Sequence, residues 1–172
     1  PIERLNLAGD STFALLLEAQ DRGYDIDIYT PNMLTLSDGL LSAEAQQIKV
    51  HLYPDRIEKL NEPKSVMLDE YDIIMMRQDP PFDMSYITAT HLLETIQHKT
   101  LIINNPFYVR NCPEKIFVNK YTDFMPSTLI TRNVSEIIKF RNKHDKIIIK
   151  PLYGNGGANV FYSDRADKNF GS

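Results

Sequence analysis

Cysteine is almost missing from this chain. Cys112 stands alone among 172 residues, so no intrachain disulfide framework can form, and a reducing cytoplasm is the compartment that such usage fits. Long apolar runs are missing too. A stretch such as Ile73-Ile74-Met75-Met76 is far shorter than the roughly 18 residues that span a bilayer, and it reads as a buried strand. The opening Pro1-Ile2-Glu3-Arg4 has neither an initiator methionine nor the basic-then-apolar order of a signal peptide, so the natural protein is expected to begin elsewhere. Histidines 51, 91, 98 and 144 show no zinc-ligand spacing, and no metal ligands are expected in this segment. An excess of positive charge is absent as well. The net charge of −4 and pI near 5.6 argue against nucleic acid or an anionic membrane as a bulk partner, though not against a phosphate compound in one pocket. No internal repeat or low-complexity tract appears.

What is present is an ordinary globular composition, 42% apolar and 24% charged, enough to bury the core of one domain or a small pair. A helix is expected over residues 12–22, with Asp10 or Ser11 as its cap, Phe13, Leu16 and Leu17 on its apolar face and Gly23 at its exit. Residues 24–30 alternate as a half-buried strand does. Residues 34–50 read as one or two strand pairs with Asp38-Gly39 as a hairpin turn. The charged stretch 53–68 reads as loop with some helix. A buried strand at 72–77, a loop closed by Pro80-Pro81, a helix at 84–97 and a strand at 100–104 make a βαβ unit, which implies parallel pairing. Beyond Asn105-Pro106 a helix is expected from Pro113 to Phe124, a strand at 127–131, and a helix through Lys143 with Asn133 and Glu136 as cap and return. Two strands, 146–152 and 159–162, then flank a glycine-rich turn. The domain boundary is expected between residues 105 and 112.

Three segments carry candidate chemistry. In Lys150-Pro151-Leu152-Tyr153-Gly154-Asn155-Gly156-Gly157, glycines let successive amides converge on an anion, and a lysine ending the preceding strand adds positive charge. That suits a nucleoside triphosphate, yet neither a Walker pattern nor a Rossmann fingerprint is present. The bland alternative is a glycine-rich hairpin on an exposed edge. Lys115, in the first turn of an expected helix, either reaches a ligand phosphate or is a solvated surface lysine. Arg77, at the carboxyl end of an expected parallel strand and followed by Asp79 and Asp83, either forks onto a substrate carboxylate or pairs with one of those aspartates to stiffen the turn. Cys112 has no histidine close in sequence, and an inert thiol is the simpler reading.

Asp10-Ser-Thr-Phe-Ala-Leu-Leu-Leu-Glu-Ala-Gln20, Met76-Arg-Gln-Asp-Pro-Pro-Phe-Asp83, Asn104-Asn-Pro106, Asn111-Cys-Pro-Glu-Lys115 and Ile149-Lys-Pro-Leu-Tyr-Gly-Asn-Gly-Gly157 together resemble the prokaryotic-type glutathione synthetases of the ATP-grasp superfamily, in order and spacing, over nearly the whole chain. The resemblance implies an α/β fold: a Rossmann-like parallel-sheet domain over residues 1–111, then a partial α+β ATP-grasp lid domain over 112–172. It implies ligation of γ-glutamylcysteine and glycine through an acyl phosphate, with ATP converted to ADP and phosphate. It also implies a cytoplasmic homo-oligomer. Lys115, Lys150, Gly154, Asn155, Gly156 and Gly157 match the nucleotide-contacting positions of the family, and Arg77 and Asp79 match a segment near the dipeptide site. The ligands for Mg2+ (or Mn2+) are expected beyond Ser172, an opening strand is expected before Pro1, and the chain as given is not expected to catalyse alone. Another ATP-grasp carboxylate–amine ligase, or a non-catalytic nucleotide-binding module, stays open as an alternative.

Overall fold

A computed structural model describes residues 7, 9–154 and 156–167. The architecture is mixed α/β with several sheets. The chain divides into two compact units, Pro1–Asp79 with Met84–Val109 and Pro80–Asp83 with Arg110–Ser172.

In the first unit, helix α1 (Ser11–Asp21) begins where the Asp10 side chain accepts the Thr12 amide at 2.6 Å, satisfying one of the amides a helix start leaves unpaired. Gly23, at φ +83°, ends it. Tyr24 N donates to Ala19 O and Gly23 N to Gln20 O, the paired bonds of a Schellman exit, which glycine makes without a Cβ clash.

Strand β1 (Ile26–Ile28), β2 (Leu34–Ser37), β4 (Arg56–Lys59) and β5 (Lys64–Met67) all pair antiparallel with the long β3 (Leu40–His51). Asp38 and Gly39, both at positive φ, close the expected two-residue hairpin with Ser37 opposite Leu40. The expectation of loop and helix over residues 53–68 is corrected, for β4 and β5 lie there. These four-residue strands carry more charge than apolar alternation. Their pairing comes from the backbone edges of β3, which no local pattern announces.

The burial of β3 changes phase along its length. Leu41, Ala43 and Ala45 are buried in its first half, Ile48 and Val50 in its second. Because side chains alternate with period two, a shift from odd to even positions means that opposite faces are covered. The first face joins Leu68, Ile74, Leu93, Ile96 and Ile102 in one core. The second packs Ile48 and Val50 on Phe13 of α1. Fully burying side chains of this size contributes about 1.5–3 kcal/mol each.

The expected βαβ unit forms from β6 (Ile73–Met75), α2 (Met84–Glu94) and β7 (Leu101–Ile103), with β6 and β7 parallel and Ile74 opposite Ile102. Thr100 is fully buried and donates its hydroxyl to Leu68 O at 3.2 Å. Among the described residues this is the parallel pair, and the sheet around β3 is antiparallel.

Helix α3 (Pro106–Asn111) follows, its first amides taken by the Asn105 side chain; the sequence reading did not foresee it. In the second unit, the helix expected over 113–124 is corrected to one turn, α4 (Glu114–Phe117), followed by 3-10 turns at Val118–Lys120 and Thr122–Phe124. Pro113 is extended, at φ −63° and ψ 123°, and sits at the N-cap rather than inside the helix. Residues 127–131 form no strand. Helix α5 (Val134–His144) begins as expected at Asn133, whose side chain accepts Ser135 N at 3.0 Å. The reciprocal bond is different: Asn133 N donates to Thr131 Oγ1, and Glu136 takes Lys139 instead. Strands β8 (Lys146–Ile149) and β9 (Phe161–Asp164) pair antiparallel, with buried Ile147 opposite buried Ser163. Arg141 of α5 donates to Asp164 O and Asp167 O, tying the helix to the end of β9.

Candidate functional site

The glycine-rich segment is the connection between β8 and β9, so it joins two antiparallel strands, as the sequence indicated. Lys150 follows directly on β8 and its side chain is exposed. Gly156 and Gly157 hold φ +62° and +74°, and Asn159 follows at +56°. A Cβ at Gly156 or Gly157 would meet nothing within 4 Å. The need for glycine is therefore conformational: the left-handed backbone disfavours side chains even where space is open. Gly154 differs, having no positive φ and only ordinary contact with Pro151. Asn155, also expected at this site, lies outside the described residues.

Lys115 comes to the same turn from α4. Its ammonium donates to Leu152 O at 3.1 Å and Gly154 O at 2.9 Å. The two basic or glycine-rich features that sequence set far apart thus share one place in the second unit. Among the described residues the partners of Lys115 are two backbone carbonyls, which take two of its three N–H donors. The backbone beneath it is held by Asn119, whose side-chain amide donates to Lys115 O at 2.8 Å and Ile116 O at 3.3 Å. Sequence reasoning missed Asn119, although an asparagine four residues beyond a lysine in a short helix is a signal for such back-bonding.

In the first unit, Arg77 stands just past β6, at the carboxyl end of the parallel pair. Its guanidinium donates to Ser11 Oγ at 2.6 Å and Thr12 Oγ1 at 3.1 Å, at the start of α1. The described bonds of Arg77 therefore go to hydroxyls, not to Asp79 or Asp83. Hydrogen bonding from the Thr12 amide, then its hydroxyl, holds the Asp10 carboxyl below the usual carboxylate range, with Arg77 adding a smaller electrostatic pull. Asp79 is exposed, and its charge assists burial in raising the Tyr86 phenol. Among the described residues the bonds of this guanidinium go to two neutral hydroxyls, with the Asp10 carboxylate acting on it only at longer range. The peptide between Pro80 and Pro81 is cis. A hollow of about 410 Å3 beside α1 is lined by Gly9, Asp10, Ser11, Phe13, Leu52 and Asp55 among others, but by neither Arg77 nor Asp79.

No group of three or more His, Cys, Asp or Glu converges in a metal-holding arrangement among the described residues. Cys112 is half-buried and unpaired with another cysteine. No described helix is long and apolar enough to cross a membrane.

Comparison with known proteins places these features in a family. The profile described as prokaryotic glutathione synthetase, N-terminal domain, matches residues 1–110, and that described as prokaryotic glutathione synthetase, ATP-grasp domain, matches residues 114–172. The chain is 55% identical over 171 residues to the glutathione synthetase of Agrobacterium fabrum, covering 99% of this chain and 54% of the relative. It is 51% identical over 172 residues to that of Bradyrhizobium diazoefficiens, covering all of this chain and 55% of the relative. The glutathione synthetase of Escherichia coli O127:H6 is 41% identical over 172 residues, with 99% of this chain and 54% of the relative covered. The chain spans about half the length of these curated relatives. With matches to both domains of one family, in order and over nearly every residue, this chain belongs to the prokaryotic glutathione synthetases.

Proposed function

We propose that this chain is part of an ATP-dependent ligase that joins γ-glutamylcysteine to glycine. In this reading a carboxylate oxygen of the dipeptide attacks the γ-phosphorus of ATP and ADP departs. The glycine nitrogen then attacks the acyl carbon, loses a proton, and phosphate leaves as the peptide bond forms. The chain's own contribution is to hold and neutralise charge. Lys150 and the turn amides around Gly154, Asn155, Gly156 and Gly157 would take the phosphates, with Lys115 beside them. Arg77 would take a substrate carboxylate, and Asp79, two residues on, would lie near the dipeptide.

The observation that carries this reading is that Lys115, from a separate helix, meets the glycine turn at Leu152 O and Gly154 O, so that a cation stands beside the turn amides expected to take phosphate. The divalent cation that goes with such chemistry is assigned to no residue of this chain, and its ligands are proposed to lie beyond Ser172. Residues 1–111 are read as a Rossmann-like domain built on the β6–α2–β7 unit, and 112–172 as the beginning of an ATP-grasp lid, in a cytoplasmic homo-oligomer.

The test is ADP release by the full-length protein with ATP and Mg2+. Release that requires γ-glutamylcysteine and glycine together is expected. Release that is indifferent to glycine, or that follows another acceptor instead, would overturn the proposal.

A further inference from the structure

We propose that Lys115 is a positioning residue for the glycine turn, a strap that ties it to α4. The proposal rests on the nucleotide reading for its purpose, but not for its geometry. The strap joins one ammonium to two carbonyls, Leu152 O at 3.1 Å and Gly154 O at 2.9 Å. Among the described residues these are the only hydrogen bonds linking residues 150–160 to the remainder of the chain outside the strand ladder. The turn is otherwise exposed, and its left-handed residues 156, 157 and 159 lie just beyond the strapped pair. Asn119 holds the carbonyls of Lys115 and Ile116, so the lysine's own backbone is fixed and the strap has a firm end.

Carbonyl oxygens and phosphate oxygens draw on the same ammonium. A lysine offers three donors, and two are already spent on the turn. Nucleotide phosphate arriving at the turn would share or displace those bonds, so that occupancy by nucleotide and the freedom of the turn become linked. A lysine committed only to nucleotide would leave the turn unaffected when mutated in the absence of nucleotide. A strap would not.

Tyr153 lies between the two strapped carbonyls and is 60% exposed, which makes the bond after it a natural reporter. The experiment follows chymotrypsin cleavage after Tyr153 in the full-length protein by mass spectrometry, without nucleotide, relative to cleavage at sites in residues 1–109. Loss of a charge-assisted pair of bonds should speed that cleavage roughly 10- to 100-fold in Lys115→Met, and Lys115→Arg, which keeps the donors, should return it towards the wild-type rate. Asn119→Ala should give a smaller increase in the same direction. Equal rates in wild type and Lys115→Met overturn the strap, as does acceleration spread evenly over all sites. A second arm measures ATP binding to the wild-type protein. Faster Tyr153 cleavage in Lys115→Met with no ATP bound by wild type would support the strap and sink the nucleotide reading alone.

Discussion

At the scale of single residues, Gln20 shows how one side chain completes a sheet. The last pairing between β1 and β3 is Ile26 with Ile48, so on that side the backbone of Val50 has no strand opposite. The Gln20 amide fills the place: Nε2 donates to Val50 O at 2.9 Å, and Oε1 accepts Val50 N at 2.7 Å. Val50 is itself buried against Phe13, so removing the amide would leave a peptide unit short of partners near an apolar core. Gln20→Ala is expected to destabilise the protein by about 1–3 kcal/mol. Urea unfolding would show it as a lower midpoint with unchanged slope, and an unchanged midpoint would mean that water replaces the clasp at no cost. Arg77 is the counterpart at the other end of α1. Its two hydroxyl partners, Ser11 and Thr12, lie in the segment that sequence marked as a helix start and as one of the family-like segments, without pairing either residue with Arg77.

Among the elements, the turn between β8 and β9 is where local conformation and the proposed nucleotide binding meet. Gly156 and Gly157 have room for a methyl group but not the backbone conformation for one. Gly157→Ala is therefore expected to weaken ATP binding several-fold in the full-length protein by roughly 1–2 kcal/mol of left-handed strain. Gly157→Asn should retain more affinity, because asparagine tolerates that region better. Calorimetric titration of both variants checks the order, and equal losses would mean that added bulk, not backbone strain, is responsible. The same scale explains the strands that periodicity missed. Ile57 lies between Arg56 and Glu58 in β4, and such a pattern names no strand until β3 offers an edge to it. Residues 127–131 show the reverse: apolar Leu129 and Ile130 looked like a strand, but no pairing partner meets them among the described residues.

For the whole molecule, the two candidate sites belong to different compact units, the lysines and the turn to one and Arg77 to the other. If their tasks are divided as proposed, substitutions should separate kinetically in the full-length enzyme. Lys150→Ala should raise KM for ATP about tenfold or more with little change for the dipeptide, while Arg77→Lys should do the opposite, since a point charge cannot reproduce a guanidinium fork. Steady-state kinetics with each substrate varied in turn would decide this. Two variants that raise both constants alike would argue that neither residue is specific to one substrate. Lys150→Ala should keep the wild-type unfolding midpoint, because that side chain is exposed, whereas Arg77→Lys gives up part of the bonding to Ser11 and Thr12 and should lower the midpoint slightly.

Much of this was legible in the residue order. The cap at Asp10, the exit at Gly23, the turn at Asp38-Gly39 and the cap at Asn133 each depend on neighbours a few residues away, and local sterics and hydrogen bonding decide them, while the βαβ unit was legible from the order of strand, helix and strand. The family, too, could be read from ordered segments that combine glycine, proline and charge. What only the tertiary structure decided were the contacts between segments distant in sequence: Lys115 on the carbonyls of Leu152 and Gly154, Arg77 on Ser11 and Thr12, and Gln20 on Val50. A side chain's partner at long range is set by where the backbone brings it. Carbonyls and hydroxyls, the partners chosen here, occur so widely along any chain that composition cannot single them out.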